Sequence, residues 1–339
     1  MNHKMKHTKN KFSFAKPFSI SFCALLFASL FLFGCGTKKD IQKSGFYFDT
    51  AISIRLYDEK YAAQLEKCFS IADNYQKLFD ANDADSDIAH INAANGEWVT
   101  VSDDTVTLLN TALHYSELSG GSFDITIGSV SALWDFSGKN PTVPTDEQLK
   151  EACSHVDYHF IEIEGNRVRL TDPKTQLDLG GIAKGFIADK MKAYLQSEGI
   201  TEGIINLGGN VLTVGPKEDG SDYHIGIQKP FAEDGTAIAT LSVTDSSVVS
   251  SGVYQRYFYE GDTFYHHLLN PKTGYPFDNG LYGVTILSES SVDGDCLSTA
   301  CFALGLEDGL SLVESLSGVE AMFITSDMEL IYSSGFPKQ

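Results

Sequence analysis

One stretch of the sequence decides how the chain folds, and it reads DLGGIAKGFIAD at residues 178–189. We predict an apolar strand that ends at Asp178, because Gly180 and Gly181 then let the backbone turn tightly. A helix follows, since apolar residues recur there at helical spacing. They are Ile182, Phe186, Ile187, Met191, Tyr194 and Leu195. The first N–H groups of this helix can bind an anion, although glycines that serve only the packing would give the same pattern.

Strands and helices are mixed along the rest of the chain, without regular β–α–β alternation. We predict a strand at 46–57, a helix that runs from there to an acidic loop at 80–87, and a second helix capped by Ser102. Short strands dominate from residue 203 onward, and a glycine turn at 206–210 closes one of them. One helix at 293–316 precedes two closing strands. This order predicts an α+β fold with mixed, largely antiparallel sheets packed against helices.

The N-terminus has the layout of a lipoprotein signal peptide. Five lysines precede the mostly apolar run at 18–33, which is shorter than the roughly 20 apolar residues of a permanent membrane span. The segment Leu32-Phe33-Gly34-Cys35 resembles a bacterial lipobox, in which Cys35 is lipidated and becomes the new N-terminus. An uncleaved N-terminal anchor is the alternative, and it places the remaining domain on the same side of the membrane.

These features divide the chain into a signal peptide at 1–34, a lipidated cysteine with a tether at 35–45, and one domain at 46–339. We expect that domain on the extracytoplasmic face of the cell membrane, held there by lipid. Beyond the signal, the cysteines are Cys68, Cys153, Cys296 and Cys301. Their spacing does not predict a zinc site, and we interpret all four as small buried apolar residues.

The composition excludes two classes of protein. Apolar residues make up 42% of the chain, which is enough for a large core and excludes a disordered chain. The formal net charge is -20, with 45 acidic against 25 basic residues. Such a surface repels the phosphate backbone of nucleic acids, so we expect no nucleic-acid partner.

Two groups of residues could carry chemistry. Asp295 and Thr299 are four residues apart near the start of the last long helix, so they share one helical face. Hard oxygen ligands of this kind suit Mg²⁺, although acidic residues also occur in first helical turns for the helix dipole alone. His266 and His267 are adjacent on a strand, so only one of them can face a given pocket, and a structural role stays open for each.

Taken together and in this order, the motifs resemble the ApbE family, the FAD:protein FMN transferases. The segments that carry the resemblance are 86–88 with Asn92, 121–128 with Trp134, 178–189, 206–210, 225–230, 250–256, 267–276 and 295–300. The resemblance implies a Mg²⁺-dependent reaction outside the cytoplasm. In it, FAD is split at its pyrophosphate, FMN passes to a Ser or Thr hydroxyl of a target protein, and AMP leaves.

The resemblance also assigns roles to individual residues. It assigns magnesium to Asp295, Ser298, Thr299 and the backbone at Gly181 and Ala183. It assigns FAD to Phe48, Asn82, Ser122, Phe123, Asp124, Asp178 and Lys184. His267 and Asp295 are the catalytic candidates, with proton transfer as the role of the histidine. Asn82 departs from the family pattern, in which an aromatic residue often stands there.

The acceptors that the resemblance implies are membrane electron-transfer subunits and secreted flavoproteins. Two other functions stay open. One is a Mg²⁺-dependent FAD pyrophosphatase, in which water replaces the acceptor hydroxyl and free FMN and AMP are formed. The other is a lipoprotein that binds FAD without chemistry.

Overall fold

The protein is represented by a computed structural model that describes residues 38–136 and 141–337. The part from Asp40 onward folds as one unit. The predicted signal peptide and Cys35 lie outside the described residues, so the prediction of a lipid anchor stays a prediction. Within the described ranges, none of the helices combines the length and the apolar content that crossing a membrane requires.

Strands and helices alternate irregularly along the chain. The strands are β1 (Ile41–Tyr47), β2 (Thr50–Leu56), β3 (Val99–Thr100), β4 (Ile161–Glu164), β5 (Arg167–Leu170), β6 (Gly203–Leu207), β7 (Asn210–Val214), β8 (Tyr223–Gln228), β9 (Ala237–Val243), β10 (Ser247–Gly252), β11 (Tyr257–Glu260), β12 (Thr263–His266), β13 (Leu281–Ser288), β14 (Glu320–Thr325) and β15 (Leu330–Tyr332). The α-helices are α1 (Ala62–Phe79), α2 (Asp87–Ala93), α3 (Asp103–Leu118), α4 (Gly128–Ser131), α5 (Asp146–Cys153), α6 (Ala183–Ser197), α7 (Ser291–Leu304) and α8 (Leu306–Glu314).

An eight-stranded sheet forms the centre of the fold, in the order β1-β2-β6-β7-β10-β13-β14-β15. Each neighbouring pair in it is antiparallel. Three smaller sheets accompany it in the described residues: β3-β5-β4, β8-β9 and β11-β12. The predicted α+β class with largely antiparallel sheets is confirmed.

The central sheet is covered on both faces. On β14, Ala321 and Phe323 join the main core, which also contains apolar residues of α1, α3, α6 and α7. The alternate residues Met322 and Ile324 join a second core with the β8-β9 hairpin. This follows from the two-residue period of a strand, in which successive side chains point to opposite faces.

Helices α6 and α7 touch at their N-terminal ends because Gly185 has no side chain. A Cβ built on Gly185 would lie 2.2 Å from the carbonyl oxygen of Ser291. One turn later, the Asp189 carboxylate accepts hydrogen bonds from the backbone N–H groups of Ser291 and Val292, both at 2.9 Å. Asp189 thus stabilises the start of α7 from the neighbouring helix, where N–H groups have no partner within their own helix.

Three sequence-based expectations about the elements are wrong. The single strand at 46–57 is the hairpin β1-β2, which turns at Phe48 (φ 53) and Asp49 (φ 55). Residues 41–45 of the predicted tether therefore belong to β1. No strand ends at Asp178, whose N–H makes one bond to the carbonyl of Ile125 at 2.8 Å. The helix at 293–316 is two helices, because Gly305 adopts φ 83 between α7 and α8.

Other local expectations are confirmed. Ser102 caps α3 by accepting the N–H of Thr105 at 3.1 Å, and a tight turn joins β6 to β7 at Gly208 and Gly209. Cys68, Cys296 and Cys301 are buried. Cys153 is only half-buried, so the expectation of four buried cysteines holds for three of them.

The contact at Gly185 predicts the effect of one added methyl group. Gly185→Ala should lower the free energy of unfolding by about 1–3 kcal/mol, because overpacking against rigid backbone forces the two helices apart. Urea unfolding measures this change. Gly226→Ala is the matched control, since its Cβ would meet Ala237 at an ordinary 3.4 Å. Equal unfolding free energies in the two variants would contradict the packing described here.

Candidate functional site

A cavity of about 970 Å³ opens where several loops meet the ends of the helices. The β1-β2 turn contributes Phe48, the loop after α3 contributes Phe123, the segment before α6 contributes Asp178, and α7 contributes Thr299. A second cavity of about 1180 Å³ adjoins it and shares Phe48, Asp178 and Lys184 with it. Together they form a groove large enough for an extended ligand such as a dinucleotide.

The loop after α3 is held in shape by a buried carboxylate. Asp124 accepts hydrogen bonds from the N–H of Thr126 at 2.8 Å and from its hydroxyl at 2.6 Å, both through Oδ1. Its Oδ2 accepts the N–H of Tyr158 at 2.9 Å. Burial raises the pKa of Asp124 above its ordinary value, although these three donors act in the opposite direction. The network keeps Ser122 and Phe123 at the cavity wall.

The turn before α6 and the first turn of that helix bring a carboxylate and a cation to the groove. The Asp178 carboxylate accepts the hydroxyl of Ser131 at 2.7 Å and the N–H of Gly180 at 2.8 Å. The Lys184 ammonium donates to the carbonyl of Gly180 at 3.0 Å. Lys184 and Arg256 line both cavities. Two cations therefore lie where the cavities join, which suits a phosphate-bearing ligand.

A cluster of oxygen atoms lines the first cavity. Asp295 is buried, with Oδ2 accepting the N–H of Gly185 at 2.6 Å and Oδ1 accepting the Asn210 side-chain amide at 2.9 Å. The Thr299 hydroxyl lies 3.2 Å from that of Ser251. Asp295 is in the second turn of α7, whose cap is Ser290. Its carboxylate therefore stabilises the start of α6 rather than of its own helix.

This cluster fits Mg²⁺ by the chemistry of its donors. A Cβ on Gly181 would lie 3.6 Å from the Thr299 hydroxyl and 3.1 Å from the Phe123 ring, so the bare backbone there leaves space beside the hydroxyl. No group of three or more His, Cys, Asp or Glu side chains suited to a metal occurs among residues 38–136 and 141–337. One carboxylate and one hydroxyl match Mg²⁺, which keeps waters and substrate phosphates as its other ligands.

Of the two adjacent histidines, only His267 lines the cavity. One histidine at the cavity is the expected outcome, although β12 ends at His266 and His267 follows the strand. Its Nδ1–H donates to the Arg256 carbonyl at 3.3 Å, which leaves the lone pair on Nε2. Burial and the positive charge of Arg256 lower the pKa of His267 to about 3. His266 is buried on the other side, where its Nε2 bonds the Phe277 carbonyl at 3.0 Å.

The residues assigned by resemblance do not all lie in one place. The first cavity brings together Phe48, Ser122, Phe123, Asp124, Asp178, Gly181, Lys184, His267, Asp295 and Thr299. Asn82 and Ala183 line only the second cavity. Ser298 lines neither, because its hydroxyl turns to the Asp295 carbonyl at 3.0 Å and to Ser251 at 2.8 Å.

Sequence reasoning assigned no individual role to several residues of the cavity wall, among them Phe46, Asn210 and Arg256. Phe46 is 71% exposed, so it stands at the mouth of the groove as a large apolar side chain in contact with water. Asn210 and Arg256 end the segments 206–210 and 250–256, which carry the family resemblance, but their neighbours come from distant parts of the chain. No local pattern could have shown these contacts.

Comparison with known proteins agrees with this geometry. The model of the ApbE family matches residues 48–323. The FAD:protein FMN transferase of Klebsiella pneumoniae is 36% identical over 288 residues, covering 84% of this chain and 88% of that protein. The enzyme of the same name from Treponema pallidum is 32% identical over 324 residues, covering 89% and 90%. The crystal structure of the ApbE protein of Thermotoga maritima has a TM-score of 0.81 at 29% identity, covering 87% and 97%. The chain therefore belongs to the ApbE family.

Proposed function

We propose that this protein transfers FMN from FAD to a Ser or Thr hydroxyl of a target protein, releases AMP and requires Mg²⁺. The observation that carries the proposal is one cavity lined by the Asp295 and Thr299 oxygens, the Lys184 and Arg256 cations and the His267 ring. The FAD:protein FMN transferases to which the chain is similar support the same reaction.

The chain's own residues account for the binding of the dinucleotide. Aromatic side chains in the first cavity offer flat apolar surface for an isoalloxazine ring; they are Phe46, Phe48, Phe123, Trp134, Phe136, Phe277 and Phe302. Lys184 and Arg256 lie between the two cavities and attract the pyrophosphate of a ligand that spans them. This placement matters because the chain carries a net charge of -20 and otherwise repels a nucleotide.

The transfer breaks the phosphoanhydride bond of FAD and forms a phosphate ester with the acceptor hydroxyl. The acceptor hydroxyl oxygen forms a bond to the phosphorus of the FMN half, and the pyrophosphate P–O bond to AMP breaks. His267 is neutral and accepts the hydroxyl proton at Nε2. Asp295, Thr299 and the backbone at Gly181 would hold Mg²⁺, which when bound would supply positive charge to neutralise the phosphates.

Replacement of Asp295 gives the central test. The full chain, FAD, Mg²⁺ and an acceptor protein should yield flavin fluorescence that stays on the acceptor after denaturation, together with equimolar AMP. Asp295→Asn removes the negative charge at nearly the same size. We expect it to cost several kcal/mol of transition-state stabilisation, hence at least about a 100-fold slower transfer.

Asp293→Asn is the matched control, because Asp293 lies on the same helix, hydrogen-bonds to the Tyr115 side chain and does not line the cavity. It should transfer at nearly the wild-type rate. Full activity of Asp295→Asn would refute the metal assignment. Free FMN and AMP without labelled acceptor would support the pyrophosphatase, whereas FAD binding that EDTA does not change, without any product, would support a binding protein.

The role of His267 predicts a pH profile. The pKa of His267 lies below its ordinary value, so the ring is still neutral at pH 5.5. The transfer rate should therefore stay constant between pH 7 and pH 5.5. With an ordinary histidine pKa, the rate would instead fall by half near pH 6.5. His267→Ala should slow transfer by about 10²–10⁴-fold with little change in FAD affinity, and added imidazole should restore part of the rate. An acid limb near pH 6.5 that disappears in this variant would contradict the low pKa.

The membrane location belongs to the same proposal. We expect Cys35 to carry lipid that holds the domain at the extracytoplasmic face. Cys35→Ala should lose incorporated palmitate and leave the membrane fraction on cell fractionation. A variant that stays in the membrane fraction would indicate the uncleaved anchor instead.

A further inference from the structure

Asn210 is a buried polar residue beside the candidate metal site, and both polar atoms of its side chain already make hydrogen bonds. It begins β7 directly after the glycine turn, and only 2% of it is exposed. Its Nδ2 donates to Asp295 Oδ1 at 2.9 Å, and its Oδ1 accepts the hydroxyl of Ser291 at 2.6 Å. Ser291 and Asp295 are one turn apart on α7, so the amide joins β7 to this helix at two points.

The chemistry of the partners fixes the direction of this amide. An ionised carboxylate can only accept hydrogen bonds, so the NH₂ group must face Asp295. The carbonyl oxygen then faces Ser291, whose hydroxyl donates to it. Because that oxygen already has a partner, Asn210 acts on the site through Asp295 and not as a ligand itself.

The other oxygen of Asp295 is held from a second direction. Helix α6 has no side-chain cap at Ile182, and the N–H of Gly185 in its first turn has no partner within the helix. Asp295 Oδ2 accepts this N–H at 2.6 Å. The carboxylate therefore has one donor on each oxygen, one from α6 and one from β7, and these two donors together prevent it from rotating.

We propose that Asn210 is a positioning residue that fixes the Asp295 carboxylate and directs its remaining lone pairs toward a bound Mg²⁺. This inference rests on the proposed function. Without Asn210, the carboxylate keeps only the bond to Gly185 and can turn about it. Loss of a partner that orients a metal ligand typically weakens metal binding by about 10–100-fold.

Asn210→Leu tests the inference, because leucine has a similar size and makes no hydrogen bonds. Titration of the protein with Mn²⁺, followed by electron paramagnetic resonance of the free ion, should show binding about 10–100-fold weaker than in the wild type. The Mg²⁺ concentration for half-maximal transfer should rise by a similar factor. FAD affinity measured in EDTA should stay unchanged, since the aromatic walls and cations remain.

Ser291→Ala is a milder second variant. It removes the donor that orients the amide but leaves Asn210 in place, so its Mn²⁺ affinity should fall between those of the wild type and Asn210→Leu. Because the change is small, it also tests the inference if Asn210→Leu does not fold. Wild-type Mn²⁺ affinity in Ser291→Ala would then overturn the orienting role.

Thr213→Val is the control for a purely structural effect. Thr213 lies on the same strand, and its hydroxyl makes two hydrogen bonds to the backbone of Ser246, at 3.0 and 2.8 Å, away from the cavity. This variant should lower the unfolding temperature and keep wild-type Mn²⁺ affinity. An equal loss of Mn²⁺ affinity in Thr213→Val and Asn210→Leu would overturn the positioning role.

The outcome for the wild type separates this inference from the proposed function. A wild-type chain that neither binds Mn²⁺ nor responds to Mg²⁺ would overturn the proposed function itself. A wild-type chain that does both, beside an Asn210→Leu variant with unchanged Mn²⁺ affinity, would overturn only the role of Asn210.

Discussion

The close contact between α6 and α7 is the constraint on which the site depends. Gly185 lets the two backbones meet, Asp189 holds the start of α7, and Asp295 returns a carboxylate to the start of α6. Each helix thus supplies a carboxylate to the N-terminal end of the other, where free N–H groups are stabilised by negative charge. The same contact places Lys184 and Thr299 at the wall of one cavity. The stability of the core and the geometry of the site therefore have a common origin.

Charge is distributed in a way that suits an anionic ligand despite the acidic composition. Two of the carboxylates in the cavity wall, Asp124 and Asp178, already accept hydrogen bonds from other groups of the protein. Their negative charge therefore stabilises the local backbone conformation. Lys184 and Arg256 instead face the groove where its two parts meet. A protein with a net charge of -20 can in this way still offer two cations to a phosphate-bearing ligand.

Local sequence patterns predicted what depends on local physics. Ser102 as a helix cap, the glycine turn before β7 and the opposite directions of His266 and His267 all follow from neighbouring residues. The turn at Phe48 and Asp49 was missed because left-handed backbone is uncommon outside glycine, and the strand pattern continues through it. The pairing of Asn210 with Asp295 joins residues 85 positions apart, so only the folded chain brings them together. The family resemblance predicted some of these long-range contacts, because it groups motifs whose closeness in space cannot be read from sequence periodicity.

The burial of its cysteines limits how the chain can react with thiols and oxidants in its surroundings. Burial raises the pKa of Cys68 and of Cys301 to about 12 and that of Cys296 well above its ordinary value. Thiol–disulfide exchange requires a thiolate that a reagent can reach, and these three sulfurs offer neither. Among residues 38–136 and 141–337 the fold therefore does not depend on a cross-link between cysteines, and oxidants can reach at most the half-buried Cys153.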